Sequence, residues 1–589
     1  MKTTLPQDDR DAQARQDRLA KQRETYRFAY DWPPGVATSA ELPKDDDYGA
    51  LYLIESAKIY ADIGVNLAAM TLDGHEAEDI LEGLEERFRN LTAEKLHQLV
   101  FTSPREIAEN LPPRWPTSWR EYEEFFATWA PPEVVSFYDD PEHVDLDLAF
   151  GWQRVAGVNP MVLARCDALP DHFPVTDALY QRVMGEGDSL EAARKEGRLF
   201  LADYALLDGV PTGTTRDLPK YIAAPIALFA VDRSARPGSP GRLRPVCVQL
   251  GQTPGDAAPI YAPGDGWRWR MAMQLVQSAD SNLHEGIYHL GRTHLVMEAV
   301  KLCMERQLDV AHPLYKLLHP HLETTLAINH SAKTSLIAPG GTVDHCFAPT
   351  IEAFAGVVKK ALDTYPIATA TPEHDLEARG LADAELLEHP YRDDVRPVWK
   401  AVEAYVGEYV DLYYPSSEAV AGDAELQAFA RELSAQEGGR LVDVPVPQSV
   451  DELKALITKL VFIAGPGHSC VNFPQWPFMG FASNMTGASF GELPTAATPD
   501  EEAVYTKMLP PHHIAMEGVL MVYFLSHMRP TKLGHYPPFH FRDRKAGAAV
   551  HRFQKALKEV EAEIDARDGS RLMSYPFLKP SLILQSISI

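Results

Sequence analysis

The stretch Asp280-Ser-Asn-Leu-His284-Glu-Gly-Ile-Tyr-His289-Leu-Gly-Arg-Thr-His294 sets three histidines five residues apart inside an apolar helical pattern. In a regular α-helix each residue advances roughly 100°, so positions i and i+5 point about 140° apart and cannot share a ligand. A π-type turn widens the helix and brings them to one face, and such turns gather at functional sites. The spacing is wrong for HExxH zinc chemistry, where an i,i+4 pair suits a regular helix, and no general base is evident. Taken alone, the triplet reads either as polar packing in a core or as a metal held by a distorted helix.

Two other places favour the metal. His312, His319, His321 and His330 follow in HPLYKLLHPHLETTLAINH. Far downstream, Gly467-His468-Ser-Cys-Val-Asn472-Phe-Pro-Gln475-Trp places His468 and Asn472 one helical turn apart. The sequence closes on QSISI, and the carboxylate of Ile589 could serve as an oxygen donor instead of fraying as apolar ends usually do.

Around this centre the apolar pattern is helical. Residues 269–305, 313–336, 351–365, 396–414, 449–464 and 502–527 are the clearest segments, and 544–567 is a charged amphipathic helix. Upstream, 46–95 also has helical periodicity, with ILEGLEERF near its end, while 111–133 is aromatic and proline-rich and should pack irregularly. Residues 197–209, 224–231 and 242–251 are short apolar runs bounded by Gly and Pro, which predicts a small antiparallel sheet. The expected fold is therefore mainly α, with a small antiparallel β component. Residues 1–45 read as a polar N-terminal extension holding a frayed helix, and 46–589 as one catalytic domain without repeats or linkers.

Composition bounds the partners. The 589 residues carry 56 Lys+Arg against 83 Asp+Glu, a formal charge of −27. That excludes a general nucleic-acid binder, which needs concentrated positive charge, and argues against broad attraction to anionic membranes. Five cysteines without CxxC spacing exclude a disulfide scaffold and a Cys-rich zinc site. The start has no apolar core of a secretory signal, and the apolar stretch 514–526 contains Glu517 and is too short to span a bilayer. A reduced, cytoplasmic enzyme is the expectation.

Taken together, HEGIYHLGRTH, HPLYKLLHPHLETTLAINHSAKTSLIAPGGTVD, HSCVNFPQWPF and the terminal SISI resemble the lipoxygenase family, in order and with few gaps. Weaker matches lie in FGWQRVAGVNP, GRLFLADY, APIALF and EYVDLYY, so the resemblance covers roughly residues 140–589. It implies iron ligands at His289, His294, His468, Asn472 and Ile589, with His284 left out. Three imidazoles, an amide oxygen and a carboxylate suit non-haem iron, and manganese fits the same set. The resemblance also implies that Glu285 and Gln475 form a hydrogen-bonded link between channel and metal.

The activity it implies is oxidation of a polyunsaturated fatty acid by O2. A hydrogen atom leaves the bis-allylic carbon, and O2 adds to the radical to give a conjugated hydroperoxide. Ile328, Ala332 and Leu336 fall on one helix face, with Leu525 opposite, as implied channel walls. An Ala at position 332 goes with S stereochemistry in relatives, and a Gly with R. Two departures stand out. Where some plant relatives carry an Arg that meets the substrate carboxylate, this chain has Ser483-Asn484-Met485-Thr486, and Met273 replaces a common Lys. The N-terminal β-sandwich often found in the family is not expected, as in some bacterial members. The helix near 51–70 or the aromatic stretch 111–130 would then cover the channel or touch membrane lipid transiently. A hydroperoxide isomerase of the same fold and a silent lipid-binding protein are the alternatives.

Overall fold

The computed structural model describes residues 3–70, 108, 114–139 and 144–589. The apolar run Ile226–Val231 is a strand buried along its whole length. It is continuous because both faces are covered: Ala227, Phe229 and Val231 join the main helical core, while Ile226, Leu228 and Ala230 join a smaller cluster with Phe173, Tyr180 and Val246. An antiparallel strand buried on both faces needs no polar alternation. Leu199–Asp203 and Leu243–Gln249 flank it, and Ala164–Arg165 and Ile260–Tyr261 close a five-stranded antiparallel sheet. The register shifts at Leu228/Phe229, where a bulge bends the pair.

The rest of the described chain is mostly helix, as expected. Val144–Ala156 packs on the sheet. Pro390–Asp411 packs against both Val450–Phe462 and Arg544–Asp568. Two expected helices are broken. Residues 313–336 divide into Pro313–Leu318, a 3-10 turn His319–His321, and Thr325–Ser331, which runs on into a π-turn Ala332–Leu336. Pro320 lacks the N–H a helix needs, and Thr324 stands in the left-handed region at φ 69°. Residues 502–527 divide into Glu502–Met508 and His512–His527 around Pro510-Pro511. Of the helix expected over 46–95, Ala50–Met70 is present; the remainder, including ILEGLEERF, lies outside the described residues.

The N-terminal helix corrects the sequence reading. Ala12–Thr25 is docked, not frayed. Arg15 is buried and grips Glu425 through Nε at 2.5 Å and Nη2 at 2.9 Å. Arg18 makes a similar fork to Asp309. Bidentate Arg–carboxylate pairs of this kind hold geometry as well as charge. In the aromatic stretch, Trp119, Tyr122, Phe125 and Trp129 all turn inward to the core. Among the described residues, no helix is long and apolar enough to cross a membrane.

Candidate metal centre

The histidine triplet lies on one continuous helix in three parts: Trp267–Leu283 is α, His284–Leu295 is π, and Val296–Gln307 is α again. The π segment does what the five-residue spacing demands. Small residues admit it to the core. A Cβ on Gly286 would come within 3.2 Å of the Phe354 ring on the neighbouring helix Ile351–Leu362. The helix carrying His468 is interrupted in the same way, with a π-turn Ile463–Gly467 between Val450–Phe462 and His468–Asn472.

Three ring nitrogens converge. His289 Nε2 lies 3.3 Å from His468 Nε2 and 3.3 Å from His294 Nε2, and His294 Nε2 lies 3.2 Å from His468 Nε2. All three rings are buried. Burial, with the neighbouring His289 ring, pushes His294 down to about 3, and burial with the other two rings holds His468 well below the usual imidazole range.

The remaining ring nitrogens reveal the tautomers. Glu285 Oε2 stands 3.3 Å from His289 Nδ1, and a carboxylate only accepts, so Nδ1 carries the proton. Asn329 Oδ1 stands 2.7 Å from His294 Nδ1. The Asn329 amide nitrogen is committed to the His294 carbonyl at 3.0 Å and to Glu298 Oε2 at 2.8 Å, so the oxygen faces the ring and His294 Nδ1 donates. The Nε2 atoms of His289 and His294 therefore point unprotonated lone pairs at one spot. With His468 Nε2 beside both, this donor set fits a divalent or trivalent metal.

His284 turns away. Its Nε2 meets the Val471 carbonyl at 2.7 Å. Asn472 is fully buried one turn beyond His468; its Nδ2 donates to the Leu525 carbonyl at 2.8 Å, and its Oδ1 accepts from Gln475 Nε2 at 3.1 Å. Glu285 and Gln475 thus each touch a different expected ligand, and no hydrogen bond joins the two to each other.

The last residues of the sequence thread into this core. Leu584 N donates to Ser469 Oγ at 3.1 Å, His321 Nδ1 lies 3.0 Å from the Gln585 carbonyl, and Thr325 Oγ1 reaches the Ile587 carbonyl at 3.4 Å. Gly465 lets the segment pass, because a Cβ there would stand 2.9 Å from the Leu584 carbonyl. Ile589 is 1% exposed at the end of this segment.

Ile328, Ala332, Leu336 and Leu525 are all buried in the main core. Ala332 borders a small cavity with Leu290, Leu295, Glu298 and Asn329. A separate apolar cavity, lined by Phe347, Met479, Ala482, Val519 and Val522, touches none of the four. Sequence reading missed these walls, and it missed Asn329, Glu298 and Ser39, whose backbone N–H donates to Glu298 Oε1 at 2.7 Å. Asn329 lies inside the quoted HPLYKLLHPHLETTLAINH stretch, but nothing in its spacing marks it as a partner of His294.

These features define a class, and comparison names it: the chain belongs to the lipoxygenase family, a family of dioxygenases, whose sequence profile matches residues 76–574. It is 37% identical over 486 residues to linoleate 9/13-lipoxygenase of Pseudomonas aeruginosa, covering 79% of this chain and 69% of that one. It is 34% identical over 456 residues to human polyunsaturated fatty acid lipoxygenase ALOX15B, covering 76% of this chain and 66% of the human one. Human hydroperoxide isomerase ALOXE3 is 31% identical over 456 residues, covering 76% and 63%. The solved structure of coral 8R-lipoxygenase superposes with a TM-score of 0.84 at 26% identity, covering 100% of this chain and 83% of that one. A lipoxygenase solved with arachidonate gives 0.85 at 25%, covering 100% and 84%.

Proposed function

We propose that this chain is a non-haem iron dioxygenase that converts a polyunsaturated fatty acid and O2 into a hydroperoxide. His289, His294, His468, Asn472 and the Ile589 carboxylate would hold the iron. The convergence of the three Nε2 atoms carries this reading. When bound, the iron supplies the one-electron oxidation by which a bis-allylic carbon loses a hydrogen atom.

The protein's own part is orientation and exclusion. Glu285 and Asn329 accept the Nδ1 protons of His289 and His294 and so present both Nε2 atoms to the centre. Gln475 and the Leu525 carbonyl fix the Asn472 amide. The buried walls at Ile328, Ala332, Leu336 and Leu525, with the apolar cavity by Phe347 and Val522, keep water from the reacting chain. No general acid or base is needed. Ala332 favours the S hydroperoxide, and Ala332→Gly should shift product toward R. Manganese would be held by the same donors. Residues 46–589 act as one catalytic domain with the 1–45 stretch strapped to it, in a reducing, cytoplasmic setting that suits the five free, buried cysteines.

The test is metal analysis of the purified protein, with growth of conjugated-diene absorbance on adding linoleate and chiral resolution of the product. Protein with full iron and no diene product would sink the reading. A hydroperoxide isomerase is the second reading, favoured by the likeness to ALOXE3. Supplying linoleate hydroperoxide under high and low oxygen separates the two.

A further inference from the structure

The chain carries −27 overall, yet residues 529–558 hold eight Lys or Arg against one acid, Asp543. They form the loop after helix His512–His527 and the first half of helix Arg544–Asp568. Lys532, Arg542, Arg544, Lys545 and Lys558 are exposed. The ion pairs nearby engage Arg552 and Lys555 instead, and these five join none among the described residues. The one acid is committed: Asp543 accepts from Lys545 N at 2.8 Å and from the Tyr413 hydroxyl at 3.4 Å. Separate stretches meet on this face, because Lys316 feels the charge of Arg542, and His535 feels Lys532 and Lys558.

At the tip of the loop stands Pro537-Pro538-Phe539. Its flanks are anchored. The Tyr536 ring packs on Phe541 at 5.0 Å, Phe541 packs on Tyr409 at 5.5 Å, and His540 Nε2 lies 2.7 Å from the Lys316 carbonyl. Between these anchors Phe539 is 90% exposed. Its φ of 63° is a conformation bulky residues rarely adopt. The ring projects between two anchored flanks, with the exposed Arg542, Arg544 and Lys545 following it within six residues.

We propose that this face docks on an anionic phospholipid surface, with Phe539 seated at the headgroup boundary and Lys532, Arg542, Arg544, Lys545 and Lys558 meeting the headgroups. The chemistry is that of an interfacial anchor: an apolar wedge for the acyl boundary and basic side chains for anionic lipid. A soluble acidic protein would satisfy the cations but give the projecting ring no seat. The net charge then opposes non-specific adsorption elsewhere on the molecule and orients the protein with this face down. This surface is independent of the chemistry at the metal centre.

The test is co-sedimentation of the full chain with vesicles of phosphatidylcholine alone or with added phosphatidylserine. The wild type should bind only the phosphatidylserine vesicles, and salt should weaken the binding. Reversing Arg542, Arg544 and Lys545 to Glu should reduce it on the order of a hundredfold. Phe539→Asp should weaken it too, and circular dichroism melting should confirm that both variants fold. Absence of wild-type binding, or undiminished binding by the folded reversal variant, overturns the proposal. So does a lipid-free dimer that the same reversals dissociate, which would assign the face to a second copy of the chain.

Discussion

The side-chain oxygen of Asn329 lies 2.7 Å from His294 Nδ1, and this single pair decides which nitrogen of the ring faces the candidate metal centre. Asn329 is itself oriented by Glu298, and Glu298 by the Ser39 backbone, so the N-terminal segment reaches the centre through three links.

Removing the orienting amide should loosen the metal without disturbing the ligands themselves. Asn329→Leu should lower iron affinity by about 10–100-fold, the range found for partners of metal-bound histidines. Iron retention against a competing chelator measures it. Retention equal to wild type would show that packing alone orients His294.

Glu298 makes stability depend on pH. Burial pushes its carboxyl from 4.5 up to about 7, only partly offset by the Ser39 N–H, the Asn329 amide and Lys333. Between those values the folded chain keeps a proton that the unfolded chain has lost. Stability from this group is therefore full below about pH 4.5 and declines as pH rises through about 7. The decline amounts to about 3 kcal/mol. Glu298→Gln should lack it. Urea unfolding near pH 5 and near pH 8 should show the wild type losing more than the variant between the two conditions; parallel losses would contradict the assignment.

The two kinds of histidine in the π segment should part in metal content. His294→Ala removes one corner of the Nε2 triangle and should empty the site. His284→Ala removes only a bond to the Val471 carbonyl and should keep more metal. Elemental analysis of the purified variants decides, and equal depletion would mean that His284 has been misassigned.

Ile589 offers a test at the other end of the sequence. It is buried, and the segment leading to it threads past Ser469, next to His468 in sequence. Deleting it, or adding residues after it, should displace a donor and reduce iron content and turnover together. A variant with full iron and normal turnover would remove the carboxylate from the ligand set.

Much of the architecture is legible because its causes are local. The five-residue histidine spacing needs a widened helix, and residues 284–295 form one. Apolar runs bounded by Gly and Pro mark the three long strands. The histidines proposed as ligands are legible for another reason: their motifs occur in order. What escaped depends on distant partners. Arg15 lies 410 residues from Glu425, so a polar, helix-forming stretch reads as frayed until its acid partner is seen. Asn329 lies 35 residues from His294, and no periodicity links them. The breaks at Pro320 and Pro510 were readable in principle, but apolar periodicity on both sides concealed them.

The opening stretch set a condition: the helix must widen if its histidines are to share a ligand, since a regular turn cannot bring i and i+5 to one side. It also carried the residue types that suit a metal. The ordered motifs already pointed to His468 and left His284 out; the tertiary structure supplied the geometry, bringing His468 179 residues along the chain to His289 while His284 Nε2 meets the Val471 carbonyl. The tertiary structure alone decided which ring nitrogens face inward. Tautomers are set by hydrogen-bond partners, and those partners are brought to the rings by packing and not by their position in the sequence.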